Sequence, residues 1–316
     1  MSYSSAGARP AAPGPADAGP ADPEPARARP PDLAAVATRL RAAGCVFADD
    51  EARLIVEAAR GPAELAELVE RRVAGVPLEH VVGWADFCGL RVRVDPGVFV
   101  PRPRTELLVR EAVAVTRPGA IVVDLACGSG AIGLAVAARV PGIELHAVDI
   151  EPAAAACARG NLAAIGGQVH EGNLYDPLPD RLLGKVNVLV ANVPYVPSRA
   201  IDFMPSEARD HEPLVALDGG ADGLDVLRLA AASAADWLAP GGSLLMETSS
   251  DQAAAALAAL AAAGLTAAAA ADEDLRATVV SGRADRIRPA GNAGKARRSR
   301  QPRRLGHRDA NGQPSR

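Results

Sequence analysis

The sequence predicts an α/β chain: a seven-stranded, mainly parallel sheet behind a small N-terminal helical domain. Three observations predict it. From Ala120 onward, short apolar runs of strand type alternate with helix-length segments, the rhythm of βαβ units. Residues 32–80 instead carry apolar residues at helical spacing. The run Val122-Val123-Asp124-Leu125-Ala126-Cys127-Gly128-Ser129-Gly130 reads as a buried strand ending in a glycine turn. Open parallel sheets bind their ligands at such strand ends.

The elements follow in order. Residues 1–31 are rich in Pro, Ala and Gly, with almost no large apolar side chains. Burial there cannot offset the ordering entropy, so a disordered leader is expected. Leu33, Val36 and Leu40, then Leu54, Ile55, Ala58 and Ala59, mark helices. Pro62 can open a further helix at its first turn, continued by Leu65, Leu68, Val69 and Val73 and closed by Gly75 and Pro77. Residues 85–95 read as a short hairpin ending at Asp95-Pro96-Gly97. Pro101-Arg102-Pro103-Arg104 is a stiff connector, after which Thr105 is expected to cap a helix through Leu107, Leu108 and Val113. Strands are expected at 120–124, 143–149, 167–171, 186–191, 242–247, 265–271 and 276–281, and helices at 131–139, 152–164, 223–238 and 251–263. The resulting organisation is a leader over 1–31, a helical domain over 32–80, a sheet domain with its linking hairpin over 81–286, and a disordered tail over 287–316.

Composition narrows the classes. Aromatic residues make up 3% of the chain, so the core must be built from Ala, Val and Leu. The net charge of −4 is uneven: from Arg283 to the C-terminus eleven Lys/Arg face two Asp. Such a tail can touch nucleic acid or a ribosome surface, or remain a solvated tail without a partner. Cys45, Cys88, Cys127 and Cys157 form no C-x-x-C pair. That disfavours a zinc site or a disulfide framework and fits a reducing, cytoplasmic location. The uncharged run Ala253–Ala271 is long enough to suggest a membrane span, but it is mostly Ala. Gly264 interrupts it, which reads as a helix stop before a strand, so no membrane partner is expected.

Gly128-Ser129-Gly130-Ala131-Ile132-Gly133 matches G-x-G-x-x-G, a turn that also serves nicotinamide cofactors. Asp149 ends the next strand, nineteen residues after Gly130, where a carboxylate can accept both ribose hydroxyl protons of an adenosine. A dehydrogenase and a methyltransferase both remain open on these grounds. The acidic lead at Asp124 resembles the first motif of class I S-adenosylmethionine-dependent methyltransferases.

The second motif is Asn192-Val193-Pro194-Tyr195, at the end of the strand Val186–Ala191. Pro194 biases Val193 toward extended geometry, which can aim the Val193 carbonyl outward. Beside it, Asn192 offers a side-chain carbonyl, and two acceptors suit an NH2 group. Tyr195 can pack on the face of a planar substrate. An amide nitrogen is a poor nucleophile, and acceptors that hold its hydrogens can localise electron density on it and align it. The same turn suits an exocyclic amino group of adenine or cytosine, flipped out of DNA or RNA.

With these residues the chain resembles the HemK/PrmC family of protein N5-glutamine methyltransferases, over about residues 33–283. The resemblance includes the helical domain, the hairpin, Phe99-Val100-Pro101-Arg102-Pro103-Arg104-Thr105-Glu106, both turns, and Glu212 to Leu224. It implies a class I methyltransferase fold (Rossmann-like) and S-adenosylmethionine as cofactor. Asp124, Ala126, Cys127, Gly128, Ser129, Gly130, Asp149, Leu174 and Asn192 would then contact the cofactor. Asn192, Val193, Pro194 and Tyr195 would bind the target amide, the glutamine of a Gly-Gly-Gln loop in a peptide chain release factor, with the N-terminal helices docking that protein. Two positions depart from the family pattern. Val193 stands where the family usually has proline, and Arg104 where it usually has an acid. Glu207, Asp210 and His211 follow the turn and could titrate, with no role assigned to them. A non-catalytic binder that kept the fold is the remaining alternative.

Overall fold

The computed structural model describes residues 33–285. The expected leader over 1–31 and the basic tail over 287–316, with its suggested ribosome or nucleic-acid contact, lie outside the described residues.

Four helices open the described chain: α1 (Leu33–Ala42), α2 (Ala48–Ala58), α3 (Pro62–Val73) and α4 (Leu78–Val82). Their apolar faces bury Leu40, Ile55, Leu68, Val69 and Val81 against one another. Pro62 sits in the first turn of α3, where its missing N–H costs nothing. Between the helices lies a buried ion pair. Arg72 donates to both carboxylate oxygens of Glu51, at 2.6 and 3.2 Å.

A hairpin of β1 (Trp84–Phe87) and β2 (Leu90–Arg93) follows, then a 3-10 turn at Pro103–Thr105 and α5 (Glu106–Val115). Thr105 departs from expectation. Its backbone is already helical, because the chain begins to coil at Pro103, and its hydroxyl caps nothing.

The sheet comprises β3 (Ile121–Leu125), β4 (Glu144–Asp149), β5 (Gln168–Glu171), β6 (Val186–Ala191), β7 (Leu238–Thr248), β8 (Thr266–Asp272) and β9 (Ala277–Arg283). Helices α6 (Ala131–Arg139), α7 (Pro152–Leu162), α8 (Ser206–His211), α9 (Asp225–Trp237) and α10 (Ala253–Ala262) connect or flank them. The strand order is β5-β4-β3-β6-β7-β9-β8. All pairings are parallel except those of β9, which runs antiparallel to both β7 and β8. β7 begins earlier than expected. It starts at Leu238 instead of 242, with a register irregularity against β6 between Val186 and Val188.

Both faces of the sheet are covered, so its central strands read as continuous apolar runs. Val123, Leu125 and Leu189 face one layer with α9, where Tyr175 stacks on Trp237. Val122, Val188 and Val190 face the other, with Leu108 of α5 and Ala135 of α6. The alanine-rich run is α10 and all of β8 but its last residue, with Ala256 and Leu260 buried. Among the described residues no helix is long and apolar enough to cross a membrane.

The chain steps outward from β3 to β5, then returns to place β6 on the opposite side of β3. That reversal makes the carboxyl ends of β3 and β6 the switch point at which such sheets bind ligands.

Candidate active site

Leu125 pairs with Ala191 at the ends of β3 and β6. The turns that follow, Ala126–Gly130 and Asn192–Tyr195, therefore leave the sheet side by side. They border one cleft of about 180 Å³, lined among others by Ala126, Gly128, Asp149, Leu174, Asn192 and Pro194.

The glycine turn is shaped by backbone. Ala126, Gly128 and Gly130 all take positive φ (52°, 55° and 77°), and Ala126 does so despite its Cβ. The Gly128 N–H donates to Asp149 Oδ2 at 2.8 Å, and the Glu151 N–H to Asp149 Oδ1 at 2.9 Å. These bonds orient the Asp149 carboxylate, whose oxygens keep lone pairs for further donors. Burial raises the Asp149 pKa despite them.

Asp124 occupies a different place from the one expected of a cofactor contact. It is fully buried beneath the turn, and Oδ2 accepts the Gly133 N–H at 2.9 Å. Its Oδ1 has no partner. Burial, with a smaller contribution from the Asp149 charge, pushes its pKa up to about 8, so it is mostly protonated at neutral pH. Asp124 thus ties the first turn of α6 to β3. The third glycine belongs to this contact, since a Cβ on Gly133 would lie 3.2 Å from Asp124 Oδ2. Cys127 and Ser129 line the cleft, and burial raises the Cys127 thiol far above its usual range. Gly130 packs tightly on α7: a Cβ there would meet Leu162 at 3.2 Å.

Part of the cleft wall is apolar. Leu174 contributes to it, and so do Ile150, 49% exposed, and Val226 and Leu229 of α9. Sequence reasoning missed the last three. Ile150 could have been found as the apolar residue after the acid, whereas nothing local marks α9.

The second turn is shaped by side chains from elsewhere. Asn192 Nδ2 donates to Thr105 Oγ1 at 3.2 Å, which leaves the carbonyl end of the amide as the free acceptor. The Thr105 hydroxyl so acts here instead of at the helix start. Asn192 and Pro194 line the cleft; Val193 is buried in the core cluster with Leu125 and Leu189. Tyr195 was expected on the face of the substrate. In the structure it lies outside the cleft lining, and its hydroxyl donates to Glu247 Oε1 at 2.8 Å. Burial and the neighbouring Glu247 charge raise its pKa, so it stays a donor. Its carbonyl accepts Gln252 Nε2 at 2.9 Å. The segment Asp218–Gly223 packs directly on the turn, bridging Val196 to Asp218, and a Cβ on Gly219 would lie 2.7 Å from the Pro194 carbonyl oxygen. Glu247 and Gln252 were invisible as site residues in sequence. Glu207 and Asp210, left without a role, are engaged in ion pairs with Arg72 and Arg209.

The methyltransferase small domain family model matches residues 89–206. A release factor glutamine methyltransferase of Mycolicibacterium smegmatis is 42% identical over 204 residues, 63% of this chain and 72% of that protein. A 4-amino-L-phenylalanine/4-methylamino-L-phenylalanine methyltransferase of Streptomyces pristinaespiralis is 37% identical over 224 residues, 68% of this chain and 76% of that protein. The chain spans about two thirds (66%) of the length of several further release factor glutamine methyltransferases. A methyltransferase crystal structure from Pyrococcus furiosus superposes with a TM-score of 0.50 at 15% identity, covering 69% of this chain and 100% of that one. The fold is therefore the class I methyltransferase fold. With relatives of this identity matched over most of their length, the chain belongs to the release factor glutamine methyltransferase family.

Proposed function

We propose that the protein transfers the methyl group of S-adenosylmethionine to the side-chain amide nitrogen (N5) of the Gly-Gly-Gln glutamine in a peptide chain release factor. One observation carries this reading: Asn192, its amide turned by Thr105, borders the same cleft as the glycine turn.

The residues present suit the cofactor. The Asp149 carboxylate, held by two backbone N–H groups, suits a ribose diol. Ile150, Leu174 and Leu229 form an apolar wall for a flat base. The cofactor, when bound, would supply a methyl group on a sulfonium centre: the C–S bond breaks to leave a neutral thioether as the C–N bond forms, and the amide nitrogen gives up one of its two protons to solvent. The chain's own work is to prepare the nitrogen. Asn192 Oδ1 accepts one amide hydrogen and the Val193 carbonyl the other. Holding both reduces the nitrogen's conjugation with its carbonyl and fixes its direction of attack. Thr105 holds Asn192 by its Nδ2 end, which leaves Oδ1 free to accept; the opposite orientation would present donors to the substrate's own N–H donors.

The exposed side chains of Val46 and Phe47, between α1 and α2, offer the helical domain a contact for a protein substrate. We place the reaction in the cytoplasm, beside the translation apparatus. The test is to incubate the full chain with labelled S-adenosylmethionine and a release factor, then map the label by mass spectrometry. Label on the Gly-Gly-Gln glutamine is the expected result, and its absence there sinks the reading. Parallel incubations with DNA, RNA and free 4-amino-L-phenylalanine separate the other nitrogen acceptors.

A further inference from the structure

Arg104 is the connector residue that departs from the family pattern, and the structure gives it two partners that no motif announces. Its Nε donates to Glu247 Oε1 at 3.2 Å. Its guanidinium carbon lies 5.8 Å from the centroid of the Tyr195 ring. Glu247, at the end of β7, has a side chain only 2% exposed, and the same Oε1 receives the Tyr195 hydroxyl. The second oxygen, Oε2, is buried without a partner.

These facts form one arrangement. A carboxylate buried at a strand end costs several kcal/mol unless a positive charge accompanies it. Arg104 supplies that charge from the connector, 143 residues away in sequence. Glu247 then acts as a fixed acceptor that sets the direction of the Tyr195 hydroxyl, and the guanidinium covers the ring. Gln252 holds the Tyr195 carbonyl from the same end of the sheet, so backbone and side chain are both secured.

We propose that Arg104 and Glu247 are positioning residues that lock the Tyr195 side chain, and through it the Asn192–Tyr195 turn, in the geometry that receives the substrate amide. The functional half of this proposal rests on the amide-transfer reading above; the structural half does not. Both contact Tyr195, so they act through the Asn192–Tyr195 turn.

The test compares R104A, R104K, E247Q and Y195F in the full chain with three readouts. The first is the 13Cζ resonance of labelled tyrosine. The chain has three tyrosines, Tyr3, Tyr175 and Tyr195, and the Tyr195 signal is the one missing in Y195F. The second is S-adenosylmethionine affinity by calorimetry. The third is KM and kcat on a release factor. In R104A and E247Q the Tyr195 resonance should shift or broaden while that of Tyr175 stays. KM for the release factor should rise roughly tenfold with cofactor affinity unchanged, the signature of lost substrate-side interactions. Y195F should show the same rise. R104K, which keeps the charge but not the planar group over the ring, should recover only part of it.

An unmoved Tyr195 resonance in R104A and E247Q overturns the lock, whatever happens to activity. A moved resonance with wild-type KM, or a Y195F enzyme with wild-type KM, overturns its functional half. If the wild-type chain methylates no release factor while the resonance moves as expected, the release-factor reading fails and the lock stands.

Discussion

The two turns at the switch point occupy neighbouring strand ends, yet they are built in opposite ways. The glycine turn after β3 is built mainly from residues near it in sequence, with Asn161 and Leu162 of α7 closing on it. Its positive φ values, its bonds to Asp149 and its tie to Asp124 all lie between residues 124 and 151. The Asn192–Tyr195 turn is assembled from afar. Thr105 orients Asn192 across 87 positions, Glu247 holds Tyr195 across 52, and Gln252 holds the Tyr195 carbonyl across 57. A cofactor common to many enzymes can be met by a local device. A substrate particular to one family is met by side chains drawn from several elements, any of which can change separately.

The sharpest way to break this comparison is Asn192→Ala. Methyl transfer should fall about 100-fold or more, in the range seen when one preorganised polar contact to a reacting group is removed. Cofactor binding by calorimetry should be retained; its loss would mean the two turns are not separable. Gly219→Ala comes next. Its Cβ would meet backbone, at 2.5 Å from the Gly223 carbonyl oxygen and 2.7 Å from that of Pro194. Overpacking of this kind costs about 1–3 kcal/mol. We expect a lower Tm and weakened transfer, with cofactor affinity the property least affected.

Gly130→Ala is the matching change on the other turn. A left-handed non-glycine backbone costs about 1–3 kcal/mol. The contacts it would make are with the Leu162 side chain, which can turn aside, and with the Ala158 Cβ, which moves only with the α7 backbone. Here cofactor affinity should fall, measured by calorimetry beside a urea melt. Equal affinity in G130A and wild type would remove the turn from the cofactor site.

A pH series sharpens the account of Asp124. Its folded pKa of about 8 lies above the reference of 3.8, so the folded state holds the proton more tightly. Stability from this group is fully present below the lower value and is lost as pH rises through the higher one. Urea melts between pH 4 and 8 should show Asp124→Asn with the flatter profile. The smallest effect belongs to Glu207→Gln, which releases the loop after the Asn192–Tyr195 turn from Arg72. Glu207 is half-exposed, so the loss should be at most about 1 kcal/mol. A larger loss would show that the helical domain holds the substrate side of the cleft more firmly than one pair implies.

Much of this was legible before any coordinates. The strand and helix positions from β3 to β9 follow from apolar period and from turn residues that act over a few positions. The glycine turn and Asp149 were legible for the same reason, as fixed spacing inside one βαβ unit. What the sequence did not show shares the opposite cause. Thr105 looks like a helix cap because Ser and Thr usually cap when a helix follows. The preceding 3-10 turn took that place, and Asn192 took the hydroxyl. Tyr195 looks like a stacking platform because an aromatic follows a substrate turn, but Glu247, on another strand, claims its hydroxyl.

The sequence by itself determined the α/β fold and the two turns at strand ends, because strand, helix and turn signals act between residues close along the chain; the pairing of β3 with β6 that makes the switch point was decided by the tertiary structure. The tertiary structure alone decided what orients the second turn. Thr105, Glu247, Arg104 and Gln252 converge on it only after the sheet has closed. A hydrogen bond between residues 52 to 143 positions apart leaves no periodicity and no spacing for a sequence to show.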